Sequence, residues 1–76
     1  MFLKSNQSLN RILLHGRKND QWVPLKHLQT HGLHDQMDWP KAADAGLLHM
    51  RKKERGYEVN LSQKGYHTLS NLYRAN

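Results

Sequence analysis

The chain has 76 residues, with twelve Lys and Arg against six Asp and Glu, a formal charge of +6 and no cysteine. That length supports one small domain burying about 60–65% of its unfolded surface, and the absence of cysteine excludes disulfide staples and thiolate metal sites. The cationic excess favours polyanionic partners, and no apolar run approaches the ~18–20 residues of a membrane span.

Met1 to Gln7 shows no clear period and is expected to fray as a flexible segment, leaving residues 8–75 as a single domain. Met1-Phe2-Leu3-Lys4 is too short and too soon polar for a secretory signal, so a cytoplasmic location is expected. From Ser8 to Leu14, the spacing of Leu9, Ile12 and Leu13 predicts a helix, with Asn6 or Ser8 as its cap and Gly16 as its stop. Arg17-Lys18-Asn19-Asp20 then reads as a polar turn. Gln21-Trp22-Val23 is a short apolar run, too brief for a full strand, that could pair with the hairpin below as a third, edge strand.

Pro24 suits the first turn of a second helix, where its missing N–H costs nothing. Leu25 and Leu28 give that helix its inner face, Gly32 ends it, and Leu33 folds back. His34 to Asp38 is a polar connection. A third helix begins near Trp39-Pro40, since proline deep inside a helix would break it. Asp38 is its expected cap, Trp39, Ala42 and Ala43 fall on one side, and Gly46 ends it.

A β-hairpin follows. Leu48 and Met50 alternate with His49 and Arg51, and Tyr57, Val59 and Leu61 alternate with Glu58 and Asn60, the period of a half-buried strand pair. Gly56 supplies the positive φ that a short connection needs. Ser62 is placed to cap a last helix, whose apolar stripe is Tyr66, Leu69, Leu72 and Tyr73. The expected core is Leu9, Ile12, Leu13, Trp22, Leu25, Leu28, Trp39, Ala43, Leu48, Met50, Val59, Leu61, Leu69 and Leu72. Apolar surface on the last helix beyond what one domain can cover would mark a homodimer contact.

Four of the five residues from Arg51 to Arg55 are cationic, at the point where the hairpin projects furthest from any core. Arg51, Lys52, Lys53 and Arg55 there are suited to phosphate. The plainer alternative is a solvated loop, in which lysine discourages strand edges from pairing. Arg17, Lys18 and Lys26 are candidates for flanking backbone contacts. His27, His31 and His34 could approach a divalent metal, yet only Asp35 offers a neighbouring carboxylate and no site is expected. With no Gly-rich phosphate loop and no nucleophile–base pair at a telling spacing, neither an enzyme nor a cofactor is expected.

Three local signatures carry a resemblance. Ala42-Ala43-Asp44-Ala45-Gly46-Leu47-Leu48 is similar to the alanine-rich end of a recognition helix turning into a strand. The basic hairpin follows it. Leu61-Ser62-Gln63-Lys64-Gly65 is similar to the Leu-Ser/Thr-x-x-Gly lead-in to the last helix of small bacterial regulators. In this order, over about Leu9 to Tyr73, the chain resembles the winged-helix family, a helix-turn-helix elaborated by a hairpin wing.

The resemblance implies an α+β winged helix-turn-helix fold, ordered α-(short β)-α-α-β-β-α, with a two- or three-stranded antiparallel sheet. It also implies binding of double-stranded DNA by a small transcriptional regulator or mobile-element accessory. The recognition helix would be Trp39 to Ala45 and the wing tip Arg51 to Gly56. Lys41 would lead the groove contacts, with Gln36 and His34 in the preceding turn. The outward face of that helix otherwise offers Pro40, Asp44 and Ala45, poorly matched to base edges. Backbone-dominated binding is therefore the expectation. The alternative is a winged-helix protein-interaction module without sequence-specific DNA binding.

Overall fold

Four helices and a three-stranded antiparallel sheet give an α+β architecture, in a computed structural model that describes residues 7–74. In chain order the elements are α1 (Gln7–Lys18), β1 (Val23–Pro24), α2 (Leu25–Thr30) and a 3-10 turn at His34–Gln36. They continue with α3 (Trp39–Asp44), β2 (Leu48–Lys53), β3 (Gly56–Leu61) and α4 (Gln63–Arg74). Of the expected flexible segment only Gln7 is described, and it opens α1. The rest of that segment, including the Asn6 cap, lies outside the described residues, as does Ala75.

On α1, Leu9, Leu13 and Gly16 recur at helical spacing and are buried. The helix does not stop at Gly16, as the glycine suggested, but runs on to Lys18. Asp20 takes the left-handed conformation, with φ 53°. Gln21 N donates to Gly16 O at 2.8 Å and Asp20 N to Arg17 O at 3.3 Å, the paired bonds of a Schellman end. Gly16 answers a tertiary demand instead. A Cβ there would stand 2.9 Å from Gln21 O and 3.1 Å from Val23 Cγ2, so glycine admits the chain leading into β1.

Pro24 ends β1 and occupies the N-cap position of α2, one residue before the helical turn expected to hold it. Asp38 caps α3, its Oδ1 accepting from Lys41 N at 3.2 Å. At the other end Gly46, with φ 76°, donates to Ala43 O and Leu47 N donates to Ala42 O. That Schellman motif turns the chain directly into β2.

The sheet order is β1-β3-β2, with Val23 opposite Val59 and the hairpin in register from Leu48 opposite Leu61 to Lys53 opposite Gly56. Strand alternation puts Leu48, Met50, Val59, Leu61 and Val23 on one face. They close a core with Leu9, Leu13, Leu28, Met37, Trp39, Ala42 and Leu69. Met37 is buried although it lies in the connection read as polar, and Ala42 rather than Ala43 is fully enclosed. Ile12, Leu25, Ala43, Met50 and Leu72 pack half-buried around this centre.

The start of α4 is tied to the end of α3. Ser62 Oγ accepts from Gly65 N at 3.0 Å, capping the helix, and donates to Gly46 O at 2.5 Å. Ser62 N donates to Leu47 O at 3.1 Å and Lys64 Nζ to Ala45 O at 3.3 Å. Asn10 Nδ2 donates to the Tyr73 hydroxyl at 3.0 Å, linking α1 to α4. Tyr66, Leu72 and Tyr73, from the stripe whose excess surface would mark a homodimer contact, lie half-buried on the chain's own core. No helix among the described residues is long and apolar enough to cross a membrane.

Candidate functional site

The hairpin strands are joined by Glu54 and Arg55 alone, with Gly56 at φ 127° closing the turn. Its cations therefore sit on opposite faces by strict alternation. Arg51, paired with Glu58, points to the face away from the core, whereas Lys52 shares with Tyr57 the face of Met50 and Val59.

Arg51 is engaged inside the chain. Its Nε donates to Glu58 Oε1 at 2.9 Å, and its guanidinium carbon stands 4.1 Å from the centroid of the Trp22 ring. A guanidinium stacked on an indole and paired with a carboxylate has less charge to offer a phosphate than its neighbours have. Trp22 is accordingly half-buried under this cover rather than enclosed in the core as expected.

Lys52, Lys53 and Arg55 are exposed. Lys53 and Arg55 share a groove of about 570 Å³ with Lys26, from the first turn of α2. Glu54, Tyr57 and Glu58 complete most of its wall. Sequence reasoning named each of these cations and expected an edge strand before α2 to pair with the hairpin, but gave no register that sets Lys26 beside it. The antiparallel pairing of Pro24 with Glu58 brings the start of α2 beside the hairpin. Tyr57, on the core-facing side of the strand alternation, is 49% exposed and is the one exposed large hydrophobic among the described residues.

The residues expected at the reading helix are not part of that groove. Lys41 is exposed on α3, its backbone N–H held by the Asp38 cap, and Asp44 is exposed three residues on. Gln36 is exposed in the 3-10 turn. His34 is half-buried, with Nδ1 3.2 Å from Asp35 Oδ1, its ring 6.2 Å from Trp39 and its carbonyl accepting from Trp39 Nε1 at 2.8 Å. It braces the turn. Arg17 and Lys18 are exposed in the last turn of α1, where cations complement the helix dipole.

A second groove, of about 430 Å³, runs between α1, β1 and α2, with Arg11, His15, Trp22 and His27 among its walls. Arg11 and His15 were not singled out from sequence, because neither belongs to a charge run or motif. His27 and His31 bring their rings to 4.5 Å between centroids, edge to face. Among the described residues no three side chains of metal-ligating type converge. No family model, curated protein or solved structure matches the chain.

Proposed function

We propose that this chain is a small winged-helix protein that binds double-stranded DNA mainly through its phosphates, as a transcriptional regulator or mobile-element accessory. The order of elements supports the reading, with α2 and α3 as the helix-turn-helix pair and β2–β3 as the wing. The observation that carries it is the convergence of Lys26 with Lys53 and Arg55 around one groove, from two separate elements. Three cations there can neutralise three phosphates, and a formal charge of +6 on 76 residues adds long-range attraction. On α3, Lys41 is the lead contact in the major groove.

One observation favours a second reading, a protein-interaction module. The exposed face of α3 offers a single cation, Lys41, beside the carboxylate of Asp44, which repels phosphate. A gel-shift titration of random-sequence duplex at two salt concentrations separates the two. Binding that weakens steeply with salt supports the DNA reading, and no shift even at low salt supports the protein partner.

A further inference from the structure

We infer that the groove between α2 and the hairpin takes an unpaired nucleotide, its base stacked on Tyr57 and its phosphates held by Lys26, Lys53 and Arg55. This rests on the DNA-binding reading and names the form of nucleic acid the groove prefers.

Tyr57 stands on β3, one residue from the turn. Its partner across the sheet is Lys52, and its strand neighbour on the same face, Val59, is fully buried. At 49% exposure, Tyr57 leaves half its surface in water and lines a groove of about 570 Å³, within the range of small-ligand clefts. An aromatic face bordered by cations is the arrangement that binds single-stranded nucleic acid, one group for the base and the others for the backbone. A continuous duplex presents base edges in its grooves and keeps base faces stacked on one another. Only a base with a free face, at a tail, a junction or a single-stranded segment, can lie on the Tyr57 ring.

The groove also contains two carboxylates. Glu58 is already paired with Arg51 at 2.9 Å, on the side of the sheet that carries Trp22. Glu54 lies in the turn itself. Among the other charges that line the groove, the three cations Lys26, Lys53 and Arg55 outnumber Glu54.

Fluorescence anisotropy compares a blunt duplex with the same duplex carrying a short single-stranded tail, labelled with a fluorescent base analogue in the tail. The full chain is expected to bind the tailed DNA about fivefold or more tighter than the blunt one, with quenching of the analogue on binding. Tyr57→Leu should remove both the gain and the quenching, and Tyr57→Phe should keep both. Circular dichroism and melting establish that each variant is folded. Equal affinity for the two DNAs, or a gain that survives Tyr57→Leu, overturns the inference while blunt-duplex binding still stands. If neither DNA is bound at low salt, the DNA-binding reading falls with it.

Discussion

Gly65, in the first turn of α4, lies so close to Leu47 that a Cβ on it would collide with the Leu47 carbonyl oxygen. That oxygen is already the acceptor for Ser62 N at 3.1 Å, so the last helix, the residue that follows β3 and the turn leaving α3 meet at one point. The contact fixes how α3 sits against the base of the hairpin.

Gly65→Ala is therefore expected to destabilise the domain by about 3 kcal/mol or more, since backbone rather than a flexible side chain must move. In a chain of this size such a loss lowers Tm by roughly 10 °C or more. Thermal melting followed by circular dichroism reads it. A melting temperature within a few degrees of the wild type would contradict the close approach.

Ser62 serves two helices, accepting from Gly65 N and donating to Gly46 O. Ser62→Ala leaves the buried Gly65 N–H and the part-buried Gly46 carbonyl short of a partner and should cost about 1–2 kcal/mol. The Asp38 cap is exposed, so Asp38→Ala should cost less, about 0.5–1 kcal/mol. Urea denaturation of the two variants side by side checks the order. Equal losses would mean that the bond to Gly46 contributes nothing.

At Gly16 helix propensity and tertiary packing pull in opposite directions. In a helix interior Gly→Ala ordinarily stabilises by about 0.5–1 kcal/mol. Here the added methyl meets Gln21 O at 2.9 Å, and the variant should lose about 1 kcal/mol instead. Denaturant midpoints decide the sign.

Arg51 is expected to behave unlike its cationic neighbours. Its side chain is 42% exposed, so the pair with Glu58 and the stack on Trp22 should together contribute less than about 1 kcal/mol. Arg51→Ala should shift tryptophan emission to the red, because Trp22 loses its cover while Trp39 stays 3% exposed in the core. DNA affinity should fall less for Arg51→Ala than for Lys53→Ala. The reverse order would show that Arg51 leaves Trp22 to meet phosphate.

Much of this fold was legible in the sequence. The alternation from Leu48 to Leu61 gave the hairpin and its faces, Ser62 gave the start of the last helix, and Gly46 gave the end of α3. Local signals were enough there because turn and cap chemistry acts within a few residues. Gly16 misled because its role is to let a distant segment approach, a demand that has no local pattern. Met37 was hidden by its polar neighbours. For the site, the cations were visible one by one, but the grouping of Lys26 with Lys53 and Arg55 depends on β1 pairing with β3. The run Gln21-Trp22-Val23 announced a third strand beside the hairpin, but not the register that sets Pro24 opposite Glu58. The exposure of Tyr57 was hidden for a related reason. Alternation gives its face but not how far the core extends beneath the hairpin.

Phosphate contact at this groove is read out by the salt dependence of binding to random-sequence duplex DNA, for the wild type and for the variant with Lys26, Lys53 and Arg55 all changed to Ala. If these three cations hold three phosphates, the wild-type plot of log affinity against log salt should have a slope of at least about −2.7 in magnitude. The triple variant should bind more weakly, with a slope shallower by about that amount, and keep its wild-type circular dichroism. A slope unchanged by the triple substitution in a folded protein would contradict the account.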